Sequence, residues 1–161
     1  MSMGRKPIEP RIRFWQKVDK SGDCWLWTAY VHRTGYGMFG IATRNSVYAH
    51  RFAYEDTVGP IPDGMVIDHR CLQKACVRPD HLRVVTPKQN EENHHRAQSN
   101  SLSGVRNVRL NKQTGRYRVT VTHHGRAHFR GEFNTIEEAA EAAKQLRLSL
   151  FSHNDADRKS A

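Results

Sequence analysis

The chain has 161 residues and a formal net charge of +10, from 26 Lys and Arg against 16 Asp and Glu. Its 37% hydrophobic and 9% aromatic content suffices for one or two small domains and excludes wholesale disorder. The charge points to a polyanionic partner, and no apolar stretch approaches the roughly 20 residues of a membrane helix. Residues 1–14 start basic but lack the apolar core of a secretory signal, so the expected setting is a reducing, intracellular one. Three cysteines there, Cys24, Cys71 and Cys76, are an odd number and do not suit a disulfide framework.

Along the chain, Trp15, Trp25, Trp27, Met38 and Met65 read as packing residues. Met65-Val-Ile-Asp-His69 is a short apolar strand ending in two groups able to hold metal and move protons, and His81-Leu-Arg-Val-Val85 is a second strand. Thr86 as N-cap, Pro87 at the first position and Gln89 completing a capping box predict a helix from Pro87 to about Gln98. That helix carries Asn90 and His94 four residues apart on one face. Strand, loop, strand and helix in this order outline a ββα-metal fold.

These residue types suit phosphodiester hydrolysis, which needs a base for water, a cation on the phosphate and an arginine against developing charge. His69 is assigned as the general base. Asp68 and Asn90 offer oxygen ligands for a hard ion, Mg2+ or Mn2+. Arg51, in Ala49-His-Arg-Phe-Ala-Tyr-Glu55, is the phosphate clamp, and His94 is a further candidate ligand or phosphate contact. Cys71-x4-Cys76-x4-His81 concentrates soft ligands in the loop between the strands, and distant Cys24 completes a Cys3His set for structural Zn2+. Three buried free thiols are the competing reading of the cysteines. Arg78, close to this set, either alters a loop cap or reaches a phosphate.

Asp68-His69, His81-Leu82 and Asn90, with Cys24-Trp-Leu-Trp-Thr, Gly35-Tyr-Gly, Ala49-His-Arg and Gly59-Pro-Ile-Pro-Asp-Gly, resemble the HNH, or His-Me finger, endonucleases over about residues 13–98. The resemblance implies a general-base role for His69, a metal-binding role for Asn90 and an acidic-ligand role for Asp68. The cysteine spacing is similar to the first zinc site of the His-Cys box homing endonucleases; their second site has no counterpart here. In many HNH enzymes the position of His81 orients the catalytic histidine, so a zinc role and an orienting role compete at that residue.

Ala97-Gln-Ser-Asn-Ser-Leu-Ser-Gly104 is polar and reads as a linker, with residues 99–104 as the boundary between domains at 1–98 and 105–151. Val105–Leu110, Arg116–Thr122 and Ala127–Phe133 alternate as strands, with turns at Lys112–Gly115 and His124-Gly125. Thr135, Glu137 and Glu138 begin a helix whose apolar positions recur through Leu150. From Ser101 to Gly131 there are seven basic residues and no acid. A three-stranded antiparallel sheet packed on one helix would therefore present Arg106, Arg109, Arg116, Arg118, Arg126 and Arg130 to DNA. Ser103-Gly-Val-Arg-Asn-Val, Gly125-Arg, Gly131-Glu-Phe and Thr135-Ile-Glu-Glu-Ala-Ala-Glu-Ala-Ala resemble the Apetala-two/ethylene-response-factor DNA-binding domain over about residues 103–150, although the tryptophans of that family's sheet are missing. His95, His123, His124, His128 and His153 are expected to face solvent, and residues 152–161 to form a disordered tail.

The fold class expected is α+β. The combined reading is a phage-borne or bacterial, cytoplasmic, homing-type DNA endonuclease, monomer or homodimer, acting on duplex DNA by a one-metal mechanism that leaves 5′-phosphate and 3′-hydroxyl ends. Its rivals are a non-catalytic DNA-binding regulator on a vestigial nuclease fold and a generic RNA-binding protein.

Overall fold

The three-dimensional structure is a computed structural model that describes residues 8–94 and 97–159. It is mixed α/β with small antiparallel sheets, and the chain divides into two compact units, residues 1–87 and 88–161.

In the first unit, helix α1 (Pro10–Trp15) precedes the pair β1 (Val18–Asp19) and β2 (Leu26–Trp27). The pair β3 (Met38–Ala42) and β4 (Asn45–Tyr48) leads directly into helix α2 (Ala49–Thr57). The third pair joins β5 (Val66–His69) to β6 (Leu82–Val85) through a loop ending in a 3-10 turn at Pro79–His81. Two- to five-residue strands cannot bury much surface, so the core is aromatic: Phe14 is wholly buried and its ring centroid lies 4.9 Å from Trp27, 5.1 Å from Phe39 and 4.6 Å from Phe52. Gly37 permits this packing, because a Cβ there would sit 2.5 Å from Trp27 Cδ1 and 3.1 Å from the Ala49 methyl. Trp27 is buried as expected, while Trp15 and Trp25 are half-buried with the Lys20 ammonium over both rings.

The loop between β5 and β6 is tied down by backbone pairing. Trp27 N–H donates to Ala75 O at 2.9 Å, and Val77 N–H to Trp25 O at 2.8 Å, while Leu26 bridges to Cys76. Val77 is thereby drawn into the aromatic core, and Cys24, one residue before Trp25, is carried to the loop cysteines.

Helix α3 spans Pro87–Glu92, shorter than the helix expected to about Gln98, and residues 95 and 96 lie outside the described residues. Its last turn tightens through Asn93 N–H to Asn90 O at 3.2 Å and His94 N–H to Glu91 O at 3.3 Å. The exposed carbonyls are taken by one side chain: Arg106 donates to Glu91 O, Glu92 O and His94 O. An Arg fork on helix-end carbonyls satisfies acceptors that continued helix would otherwise have used.

In the second unit, β7 (Val108–Leu110), β8 (Tyr117–His123) and β9 (Arg126–Phe133) form an antiparallel sheet in that order, followed by α4 (Ile136–Leu150). Strand β7 begins three residues later than the alternation predicts because Asn107 adopts φ 65°. His124 and Gly125, both at positive φ, make the two-residue turn between β8 and β9. Thr135 and Glu138 form the capping box of α4, as their spacing predicts. Val108 and Val119 pack against Ala139 and Ala143, whose small side chains let the helix approach the sheet closely.

The division at residues 87 and 88 falls inside α3, ahead of the expected linker at 99–104. The segment 152–161, expected as a disordered tail, instead carries helix α5 (Asp155–Arg158), with residues 160 and 161 outside the described residues. Its attachments are polar, which is why hydrophobic periodicity misses it. Buried Arg147 donates to both carboxylate oxygens of Asp157 at 2.7 Å, and Asn154 caps α5 while fully buried. The buried Glu92 carboxylate accepts from the Ser152 and His153 amides.

Candidate active site

Strand β5 ends on Asp68 and His69, 5% and 6% exposed. The β5–β6 register sets Asp68 opposite Arg83, and Arg83 Nε and Nη2 donate to Asp68 Oδ2 at 2.9 and 2.7 Å. His69 Nε2 lies 3.0 Å from the Cys76 carbonyl oxygen. A carbonyl only accepts, so Nε2 carries the ring proton and Nδ1 the lone pair. Burial holds the imidazole below its ordinary pKa of 6.5, partly opposed by the Cys76 carbonyl bond. His69 is thus a buried, neutral base whose tautomer is set by the backbone.

The same loop carries the second constellation. The ligand atoms of Cys24, Cys71, Cys76 and His81 all lie within 4.8 Å of one another. His81 Nδ1 is 3.6 Å from both Cys24 Sγ and Cys76 Sγ. A tetrahedral ion with Zn–S about 2.3 Å and Zn–N about 2.0 Å sets such S···N edges at roughly 3.5 Å. The donor set and its spacing therefore fit a structural zinc ion. His81 Nε2 faces Asp23 Oδ2 at 3.6 Å, the carboxylate support expected behind a metal-bound imidazole. The Arg78 amide donates to Cys76 Sγ at 3.5 Å, and its guanidinium holds Asp23 through Oδ1 at 2.9 Å and the carbonyl at 2.8 Å. Arg78 thus braces the cysteine loop, and its guanidinium is shared between Asp23 and Asp80. As thiols alone, the three sulfurs cannot all ionise. Hydrogen bonding from Cys76 lowers Cys71 to about 5, while Cys76 itself is raised by that same bond and Cys24 by burial. A divalent ion resolves this conflict by stabilising all three as thiolates.

Between the zinc-type cluster and the first turn of α2, the structure brings together residues that sequence reading passed over. His50 is 6% exposed and its ring lies 4.8 Å from His69, 5.3 Å from Tyr36 and 5.5 Å from Tyr48. Burial first, then the charges of His69 and Arg51, push its pKa down to about 3. In the Ala49-His-Arg motif the sequence assigns a role only to the arginine. Arg83 and Asp23 were likewise missed, the former legible only from the strand register.

Arg51 is half-buried on the first turn of α2, and the remaining expected residues lie in the second unit. Asn90 is on α3, and His94 is exposed with Nε2 3.8 Å from Glu91 Oε2. Arg109, Arg116, Arg118, Arg126 and Arg130 are all exposed. Arg109 and Arg118 are register neighbours, and Arg118 lies 4.9 Å over the ring of Phe129, itself 57% exposed. Arg116 donates to Glu132 O, and Arg130 occupies the bulge where the β8–β9 register shifts. Arg106 departs from expectation: its guanidinium is spent on the α3 carbonyls and on Phe151, and desolvation lowers its pKa. His123 departs as well, half-buried with Nε2 3.4 Å from Glu92 Oε1 and 3.1 Å from Lys88 Nζ. Among the described residues, no helix is long and apolar enough to cross a membrane.

The profile of the HNH endonuclease family matches residues 47–92 of this chain. Protein 7.7 of Escherichia phage T7 is 41% identical over 70 residues, 44% of this chain and 53% of that protein. Protein 2.8 of the same phage is 36% identical over 87 residues, 53% of this chain and 55% of that protein. Protein 3.8, also of phage T7, is 34% identical over 96 residues, 60% of this chain and 75% of that protein. No solved structure matches. The chain carries an HNH endonuclease domain and belongs to the same family as protein 3.8 of phage T7. It spans about half the length of the first two relatives.

Proposed function

We propose that the protein is a metal-dependent DNA endonuclease in which His69 is the general base. The observation that carries this reading is the hydrogen bond from His69 Nε2 to the Cys76 carbonyl, which leaves Nδ1 as the basic atom of a buried neutral imidazole. Nδ1 takes a proton from the attacking water, and Arg51, on the first turn of α2, steadies the phosphate. Asp68 and Asn90, a carboxylate and an amide oxygen, suit a hard ion such as Mg2+ or Mn2+, which when bound supplies Lewis-acid stabilisation of the leaving oxygen. Arg83 holds the Asp68 carboxylate in place through Oδ2. Cys24, Cys71, Cys76 and His81 hold structural zinc, which fixes the loop that supplies the Cys76 carbonyl. Cleavage leaves 5′-phosphate and 3′-hydroxyl ends.

The basic sheet of the second unit, in the manner of an Apetala-two/ethylene-response-factor domain, anchors duplex DNA through Arg109, Arg116, Arg118, Arg126 and Arg130, and a homing-type role follows from pairing such an anchor with a cutting domain. Supercoiled plasmid with Mg2+ tests the catalytic reading: the wild-type chain nicks or linearises it, His69→Ala loses at least about 100-fold in rate, and end-mapping finds 5′-phosphates. Unchanged cleavage by His69→Ala overturns the assignment.

A further inference from the structure

The Gly35-Tyr-Gly motif and the residues between Cys71 and Cys76 have no part in the mechanism above, and the structure joins them through Lys74. Its side chain leaves the β5–β6 loop and crosses the turn at residues 32–36. That turn closes through His32 N–H to Tyr36 O and Gly35 N–H to His32 O, each at 2.8 Å. Gly35, at φ 90°, forms the floor under the lysine stem: a Cβ there would stand 3.3 Å from Lys74 Cδ and 3.8 Å from Lys74 Cβ. Past the glycine, Lys74 Nζ donates to Thr34 O at 3.0 Å and stands 5.1 Å over the ring of Tyr36. The same ring lies 5.9 Å from that of His69, so a single aromatic side chain links the ammonium to the proposed base.

An exposed lysine ordinarily samples many rotamers, and freezing it on a ligand costs that freedom. Lys74 is exposed, yet a glycine floor, a carbonyl and a ring face already hold it in place. The carbonyl takes one of the three ammonium donors, and the ring steadies the charge without neutralising it. Among the described residues no carboxylate pairs with Lys74: Arg83 takes Asp68, and Arg78 shares Asp23 and Asp80. A cation fixed in position, open to solvent and left without a counter-charge is suited to an anion. Beside a site that cuts a polyanion, that anion is a backbone phosphate, which a point charge binds without regard to sequence.

We propose that Lys74 binds a DNA phosphate flanking the scissile one, which makes the cysteine loop a substrate-contacting element as well as a support for His69. The proposal rests on the endonuclease reading for the place of that phosphate, while the contact itself is measurable without cleavage. A flanking phosphate carries the same charge before and during attack, so the contribution falls on KM and leaves kcat in place.

The test uses the full chain in its zinc-loaded form. Lys74→Met keeps the stem over Gly35 and loses the charge, and Lys74→Arg keeps the charge. Lys74→Met is expected to retain its zinc and its melting temperature and to raise KM for plasmid nicking about 5- to 10-fold, with kcat within about 2-fold of wild type. The slope of log K for duplex binding against log salt, read with cleavage blocked by His69→Ala, is expected to fall by about 1, and Lys74→Arg restores both KM and slope. A lysine that only caps the Thr34 carbonyl would instead lose melting temperature or zinc in Lys74→Met with the salt slope unchanged, and that pattern overturns the proposal. Wild-type KM and salt slope in Lys74→Met overturn it too, and leave the endonuclease reading standing. A chain that cleaves no DNA under any divalent ion, but whose duplex binding loses that unit of slope in Lys74→Met, sinks the endonuclease reading and leaves the phosphate contact standing.

Discussion

Removing the metal from the Cys3His cluster is the perturbation whose size follows most directly from the structure. The cluster joins Cys24, two residues before β2, to Cys71, Cys76 and His81, and so closes a loop of 47 residues between Cys24 and Cys71. By the chain-entropy relation for a cross-link, closing a loop of that length restricts the unfolded chain by about 4 kcal/mol, and bonds to the shorter loops add to it. Small domains have only about 5–15 kcal/mol in total. The aromatic core leans on the same loop, since Val77 belongs to it and Val77 N–H pairs with Trp25 O. Chelation with phenanthroline is therefore expected to unfold the first unit at or near room temperature. All three tryptophans, Trp15, Trp25 and Trp27, belong to that unit, so their emission reports it alone. The helical circular-dichroism signal of α4 reports the second unit, whose core contains no residue of the cluster. The expected result is early loss of the tryptophan transition with the α4 transition preserved, reversed by one equivalent of zinc. A tryptophan melting curve unmoved by complete chelation, or purified protein without stoichiometric metal, refutes the reasoning.

Four other outcomes are expected. Because burial lowers the His69 pKa below 6.5, the neutral base persists to lower pH than for an exposed histidine; cleavage should lose its acid limb below pH 6.5, measured as kcat against pH. His50 adds a stability effect of matching sign: between its folded value of about 3 and the unfolded 6.5 the unfolded chain binds more protons, so denaturant midpoints fall as pH drops through that window and level off above it. Asp157→Ala leaves the Arg147 guanidinium, 7% exposed, without its carboxylate and should destabilise the second unit by about 3 kcal/mol in urea unfolding. Arg118→Ala should weaken duplex binding and reduce the slope of log K against log salt by about 1, with little change in unfolding, because that side chain is exposed.

Much of this protein was legible in its sequence because the signals are local. The alternation of Tyr117–Thr122, the turn at His124-Gly125 and the capping box at Thr135 and Glu138 depend on neighbours within a few residues, and the structure contains each of them. The Cys71, Cys76 and His81 spacing likewise names a ligand set, since donor type and loop length nearly determine the ion that fits. Asp68-His69 at a strand end was legible for the same reason, and the structure ends β5 on these two residues.

Other features arose from contacts between residues far apart in the chain, which no local pattern encodes. Arg106 looks like one more arginine of a basic strand, and only the fold turns it onto the α3 carbonyls and off the open face. Residues 152–159 are too polar to predict a packed segment, yet Arg147, Asp157, Asn154 and Glu92 bury one another through paired charges and hydrogen bonds. The tautomer of His69 depends on the Cys76 carbonyl, and the enclosure of His50 depends on a ring 19 positions away. Residue chemistry and spacing thus determined what kinds of site the chain could build. The tertiary structure decided which side chains face the site, because enclosure and the pairing of polar atoms are properties of the packed interior.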